Sequence, residues 1–453
     1  MDDKLHTYLD AHPDEAQSIL EALCRQPSIA AQNLGMTEAA DLVASLLSEA
    51  GFETRQLHVE GAPPAVYGEQ RGASPFTVLL YNHYDVQPAE PLDLWESPPF
   101  EPTVRADKLY ARGVSDNKGG IATRLAAFRA LRAVDGALPF TVRWLIEGEE
   151  EVGSPHFEAF AQTYADLLRA DGCLWEEGGF DMAGRPSLVL GSKGMLYVQL
   201  DVQGIGRDAH SGAAPSLPSA AWRLVQALAT LRNPDGQVLI PGFADDVIPP
   251  TPAQLEALAD LTDMEAQMRE MYQIEAFVDN LTGLALRERQ AFSPTCNIAG
   301  LVSGYTGEGT KTVLPAHAMC KIDFRLVPNQ DPQDIRDKLR AHLDAQGYDD
   351  VQISTFGMAE PVVTPIEHPF VQRVIELSAS FSEAKPAVAP LMGGTLPLLG
   401  ALRRHVGVPG LAAPAGAGYW GSGAHAPNEH VRLSDLPRAV RFNCHLFQGL
   451  GED

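Results

Sequence analysis

Three short, largely apolar runs, residues 76–81, 140–146 and 172–175, alternate with helical patterns along the first half of the chain. A run that is apolar on both faces suits a central strand covered by helices on either side. Strand and helix in alternation therefore predict an α/β layer: a mixed, mostly parallel sheet with helices on both faces. Residues 14–24 put Ile19, Leu20, Leu23 and Cys24 on one helical face. Thr37 is expected to cap a second helix, with Leu42, Val43, Leu46 and Leu47 inward and Gly51 as its stop. A third helix is expected from about residue 120, with Ile121, Leu125, Phe128 and Leu131 in register.

The texture changes after Gly191. Residues 195–202 and 318–326 alternate as half-exposed strands do, and helical patterns intervene at 219–231 and 332–346. This pattern predicts a smaller α+β unit inserted into the first, with a Pro-rich and then acidic stretch (233–292) read as an insertion within it. From Pro361 the α/β style returns and runs into a glycine-rich segment, 416–423. At 453 residues the chain is too long for one ordinary core. The expected division is 1–190 with 361–453 as the larger domain and 191–360 as the inserted one.

The apolar runs lead into chemistry. His83, Asp116, Glu151, Glu176 and His425 each follow a strand-like stretch, and α/β sheets gather functional groups outside the carboxyl ends of their strands. Asp85, two residues after His83, can hold the second ring nitrogen of that imidazole. Gly113-Val-Ser-Asp-Asn-Lys-Gly-Gly120 joins a glycine-rich turn to a helix and presents Asp116 on constrained backbone. Glu147-Gly-Glu-Glu-Glu-Val-Gly-Ser154 is a carboxylate cluster whose charges raise one another's pKa unless cations or protons neutralise them. Within it, one of Glu150 and Glu151 can bind metal while the other takes a proton from water. Singly, each segment also suits an ordinary turn or cap. Together they fit one or two divalent cations held by mixed nitrogen and oxygen donors.

Other classes are disfavoured. The formal net charge is −25 with no basic stripe, which argues against nucleic acid and anionic membrane surfaces as partners. No run of about 18 apolar residues suggests a transmembrane helix. The start carries Asp2, Asp3, His6, Asp10 and His12 rather than a signal pattern, so a cytoplasmic location is expected. Five scattered cysteines imply neither a disulfide framework nor a thiolate site. There is no G-x-S-x-G elbow, H-E-x-x-H string or P-loop.

The ordered segments resemble the M20 family of co-catalytic metallopeptidases, and within it the cytosolic nonspecific dipeptidase (carnosinase-like) branch. To those above are added Arg207-Asp-Ala-His-Ser-Gly212, Lys311-Thr-Val-Leu-Pro315, Phe324-Arg-Leu-Val-Pro328 and Ala424-His-Ala-Pro-Asn-Glu429. The resemblance covers nearly the whole chain. It implies a catalytic domain interrupted by a lid that forms a homodimer interface, and two divalent ions per subunit, zinc first, with manganese or cobalt as alternatives. Asp116 would bridge the ions, His83 and Glu176 would complete one site, and Glu151 and His425 the other. Asp85 would orient His83, Glu150 would be the general base, and His210 of the partner subunit would help hold the oxyanion. Thr312, Arg325, Gly394 and Thr395 would bind substrate, with Arg325 at its free carboxylate.

The sequence departs from the resemblance in places. Glu176 and Glu177 compete for one ligand position, Glu176 being chosen as the first after its run. Tyr81 and Asn82 precede His83 where many relatives have glycine, and Thr395 replaces a common serine. The expected activity is hydrolysis of the amide next to a free carboxylate in dipeptides or short peptides. An N-acyl amino acid deacylase or desuccinylase of the same family is the alternative, and a non-catalytic peptide-binding homologue the third reading.

Overall fold

The structure, a computed structural model, describes residues 3–451 except 177 and 383. Glu177, the rival of Glu176, thus lies outside the described residues. Twelve strands build the two main sheets. They are β1 (Glu53–Leu57), β2 (Ala65–Gln70), β3 (Gly72–His83), β4 (Leu138–Glu147), β5 (Gly172–Trp175), β6 (Ser187–Val189), β7 (Gly194–Gln203), β8 (Asn297–Ser303), β9 (His317–Leu326), β10 (Gln352–Ala359), β11 (Ala387–Ala389) and β12 (Gly410–Ala412). The larger sheet has the order β1-β2-β4-β3-β5-β12-β6-β11 and the smaller one β8-β9-β7-β10.

In the larger sheet β3 is parallel to both β4 and β5, β12 is parallel to β5, and β11 is parallel to β6. The pairs β1–β2, β2–β4 and β12–β6 are antiparallel, so the sheet is mixed and mostly parallel. Alternate residues of β3 serve opposite cores. Val78 and Leu80 pack in the one that includes the helices Glu15–Arg25, Lys118–Asp135 and Asp435–Leu450. Leu79 and Tyr81 pack in the other, with the helices Phe157–Thr163 and Pro397–His405. Burial on both faces explains the unbroken apolar run. The smaller sheet is antiparallel and covered on one face only. Leu196, Val198, Leu200 and Val202 of β7 turn inward with Ile322 and Phe324 of β9, under the helices Ala220–Ala229 and Pro332–Ala345.

Two expectations need correction. Thr37 does not cap its helix: the helix is Met36–Glu49, led in by Gly35 at a φ of 69°. A left-handed residue there is a glycine's task. Nor does the 233–292 stretch belong wholly to the smaller unit. Ile240 and Phe243 join the small core, but the helices Pro252–Ala259 and Gly283–Phe292 reach the larger one. There Leu258 and Phe292 pack with Leu391, and Arg185 pairs with Asp260. Apolar residues spaced along these helices indicate burial without saying against what.

The chain passes between the two sheets twice, and the crossings pair with each other: Val362 opposite Ser192 and Val363 opposite Gly191. Beneath the larger sheet Phe128 stacks on Phe447 with centroids 4.7 Å apart and meets Phe52 and Trp144 edge-on. Phe128→Ala is expected to destabilise the protein by about 3–5 kcal/mol, because the cavity cannot collapse against such rings; urea unfolding measures it.

Candidate metal centre

Strands β4 and β5 lie on opposite sides of β3, so the crevice opens at the carboxyl ends of these strands. His83 is the last residue of β3 and Glu176 directly follows β5. After β4, Glu150 and Glu151 begin a short 3-10 turn, Glu150–Val152. Asp116 comes from the turn before the helix Lys118–Asp135, and His425 from a loop in which it adopts a φ of 63°. That conformation is uncommon for a side chain with a Cβ and often marks a functional site.

The five expected ligands meet. Asp116 faces both ways: its Oδ1 lies 3.1 Å from His83 Nε2 and its Oδ2 3.1 Å from His425 Nε2. Glu176 Oε2 stands 3.4 Å from His83 Nε2, and Glu151 Oε2 3.0 Å from His425 Nε2. Two nests result, one of His83, Glu150 and Glu176, the other of Asp116, Glu151 and His425, each with donor atoms within 4.8 Å of one another. Glu150 is the outlier of the first, 3.9 Å from His83 Nε2. Among the described residues its carboxylate accepts no hydrogen bond, and burial pushes its pKa up to about 8.

The set fits two divalent cations. Four carboxylates and two imidazoles are neutralised by two doubly charged ions; without them the site must hold protons instead. The pKa shifts have that sense. Hydrogen bonds to Asp116 and Glu151 push His425 up to about 10. Burial disfavours a charged His83, but Glu176, Asp116 and Asp85 raise its pKa well above the usual value. Burial also opposes ionisation of Asp116, yet the two imidazoles hold its carboxyl well below the ordinary range.

Further side chains support the ligands. His83 Nδ1 lies 3.0 Å from the Asp85 carbonyl and 3.3 Å from its carboxylate. That carboxylate also accepts the backbone N–H groups of Glu150 and Glu151 at 3.2 and 3.0 Å. Asp85 thus ties His83 to the glutamate turn, more than the orienting role expected of it. Glu429 does the same for Asp116. It accepts N–H groups from Gly113, Ser115 and Asp116 and an Arg112 bond of 2.8 Å, all out of water. Lys118 folds back onto the carbonyls of Leu23 and Gln26, where burial lowers its pKa to about 8. Gly119 is required by close approach, since a Cβ there would sit 2.6 Å from the Val114 carbonyl oxygen.

The expected substrate residues divide. Arg325, on β9, donates to Thr395 Oγ1 at 2.9 Å and to Asp323 at 3.2 Å. Gly394 accepts the backbone N–H of Lys193 at 3.0 Å. Burial, and then the Arg325 charge, push that lysine down to about 8. These residues form one wall. His210 and Thr312 lie apart from it, by a two-stranded ribbon of Ala209–His210 with Val313–Leu314. His210 is exposed, bonds to the Gly212 N–H, and makes no hydrogen bond or ion pair with the cluster of its own chain. A cavity of about 1090 Å³ opens beside Asp116 and Asn117, walled by Phe180, Met182, Leu261, Tyr419 and Trp420.

A sequence profile of Peptidase family M20/M25/M40 matches residues 79–449, which spans every one of these ligands. The chain belongs to that family. A solved M20 family metallo-carboxypeptidase, Sso-CP2 from Sulfolobus solfataricus, is 34% identical, covers 100% of both chains and superposes with a TM-score of 0.89. The Cys-Gly metallodipeptidase dug1 of Schizosaccharomyces pombe is 26% identical over 98% of this chain and 97% of its own. The Beta-Ala-His dipeptidase of Mus musculus is 28% identical over 76% of this chain and 73% of its own. Structures of this family are built, as here, from a catalytic α/β sheet with an inserted α+β unit.

In this M20 peptidase, uptake of divalent ions at pH 7.5 is expected to release protons, because the metal-free centre holds them on His425 and Glu150. Affinity should therefore rise with pH. Titration calorimetry in buffers of different ionisation enthalpy counts the protons; uptake without release contradicts the assignment.

Proposed function

We propose that this chain is a dinuclear metal-dependent exopeptidase that cleaves the amide beside the free carboxylate of dipeptides or short peptides. The observation that carries the reading is Asp116 placed between the two imidazoles, with Oδ1 toward His83 and Oδ2 toward His425. His83 and Glu176 would hold one ion, Glu151 and His425 the other, with Asp116 shared. Zinc is the first candidate and manganese or cobalt the alternatives, since mixed N/O donors suit all three. Bound there, the ions supply Lewis acidity toward a water and the scissile carbonyl.

The chain's own residues do the rest. Glu150, whose carboxylate accepts no hydrogen bond among the described residues, takes the proton of the attacking water and passes it to the leaving amine. Arg325, with its planar fork at the Thr395 hydroxyl, receives the substrate carboxylate, and Gly394 leaves room beside it. The acyl side of the substrate runs toward the cavity at Asp116, whose wall contains neither Arg325 nor Thr395. Thr312 and His210 act from the lid, His210 on the centre of a second subunit. We place the domain boundaries at the paired crossings, 1–190 and 361–453 against 191–360. A cytoplasmic setting agrees with five cysteines that are all free thiols.

The homodimer reading rests on the small unit's surface. Trp222 is 68% exposed and Val225, Ile298, Leu301 and Val302 about half exposed. The last three lie on β8, an edge strand of the smaller sheet, and an apolar edge left open invites a second copy. Leu301→Asp with Trp222→Glu is expected to give a monomer of lower activity by light scattering and assay; an unchanged dimer removes this interface.

A panel of dipeptides, tripeptides and N-acyl amino acids, assayed with added Zn²⁺ or Mn²⁺, tests the activity. Turnover of free dipeptides or tripeptides is expected; hydrolysis confined to N-acyl amino acids overturns the peptidase reading. Glu150→Gln is expected to lower kcat by about 10²–10⁴ while metal content, read by elemental analysis, stays at two ions.

A further inference from the structure

Beneath the centre lies a cation that the chemistry above does not use. Arg124, on the helix Lys118–Asp135, is 1% exposed and pairs with no carboxylate among the described residues. One arm of its guanidinium, Nη1, donates to the Tyr81 carbonyl at 2.9 Å and to Asn82 Oδ1 at 2.6 Å. The other, Nη2, donates to the carbonyls of Leu174 and Trp175 at 3.3 and 3.1 Å. The first arm therefore holds the end of β3, one and two residues before His83. The second holds the end of β5, directly before Glu176.

The place is significant. The β3–β5 ladder stops at Leu80 opposite Leu174, and beyond it the strands part to form the crevice. Carbonyls released from a ladder inside a protein need other donors, and Arg124 supplies them to both strands at once. The network extends to the third ligand segment. Asn82, which accepts from Arg124 and from Trp144 Nε1 at 3.0 Å, donates its own amide to Asn117 Oδ1, next to Asp116. Gly120 gives Asn82 the space, since a Cβ there would come within 2.8 Å of Asn82 Nδ2. The asparagine that departs from the family resemblance is thus the partner of a buried arginine.

We propose that Arg124 is a positioning residue that sets the gap between His83 and Glu176 and, through Asn82 and Asn117, the pose of Asp116. This inference rests on the dinuclear reading of the centre. A planar fork spans two strands, and neither a point cation nor a neutral chain of similar length does so. Supports of this kind act on affinity for the ion, typically by 10–100-fold.

The test is calorimetric titration of the metal-free full chain with Zn²⁺ and with Mn²⁺, comparing wild type, Arg124→Lys, Arg124→Met and Asn82→Ala. The melting temperature of each metal-free protein is measured alongside. Both Arg124 variants are expected to bind about 10- to 100-fold more weakly, and Asn82→Ala to weaken binding in the same direction. A merely structural arginine would lower the metal-free melting temperature and leave the dissociation constants alone, and that result overturns the proposal. Wild-type affinity in Arg124→Lys would equally overturn it, by showing that charge without the fork suffices. If Arg124→Met does not fold, Arg124→Lys and Asn82→Ala still decide, unchanged affinity in both counting against it. Failure of the wild type itself to take up ions would be a separate result and would overturn the dinuclear reading together with this one.

Discussion

Like charges crowded at one point in the fold set the terms for everything around it. Glu150, Glu151, Glu176 and Asp116 converge where β3 and β5 part, with two imidazoles among them. Buried carboxylates repel one another and lose hydration, so such a cluster persists only if it is braced and neutralised. The bracing is visible in every direction. Asp85 clamps the glutamate turn to His83, Glu429 clamps the Asp116 turn to Arg112, and Arg124 pins the two strand ends. The short turn Glu150–Val152 is held by the Asp85 carboxylate as well as by its own bond from the Gly153 N–H to the Glu150 carbonyl.

That bracing separates two kinds of negative charge. Asp85 accepts two backbone N–H groups, and Glu429 accepts three and a guanidinium, so both carboxylates are fixed in place. Among the described residues the Glu150 carboxylate receives no such donor, and burial pushes its pKa up to about 8. Adjacent residues in the chain, Glu150 and Glu151, are thereby given different surroundings, which is what the proposed division into base and ligand rests on. Glu151 lies 3.0 Å from His425 Nε2, whereas Glu150 stays 3.9 Å from His83 Nε2. The proposed difference between a ligand and a base thus lies in the neighbours and not in the residue type.

Much of this was legible beforehand because it is written in local pattern. The runs ending at His83 and Trp175 carry the period of doubly covered strands, and the small unit's strands carry the alternation of a half-covered sheet. Of the five expected ligands, His83 and Glu176 stand at the ends of such runs, whereas Asp116 and His425 come from a turn and a loop. What local pattern does not hold is the pairing of distant positions. Glu429 reaches Asp116 across 313 positions of chain, and Arg124 was one more basic residue in a helical stretch until the strand ends it joins were seen. The same blindness explains the helices of residues 252–292: a Pro-rich and then acidic stretch does not say which sheet it packs on. Thr37 was misread for a different reason, because a left-handed glycine can begin a helix without a hydroxyl cap.

The strand order has a consequence for how the molecule is made. β12 lies between β5 and β6 in the sheet, yet it begins at Gly410, long after β5 has ended at Trp175. While the chain emerges from its amino end, β5 waits with one side unpaired, and the whole smaller sheet is synthesised before the missing strand arrives. His425 comes later still. The carboxylates of the crevice are all made by residue 176, and its second imidazole only at residue 425. Pairings so distant in the chain are slow to form and leave an open edge meanwhile. A newly made chain is thus most in need of protection from aggregation at the very strands that will carry its chemistry.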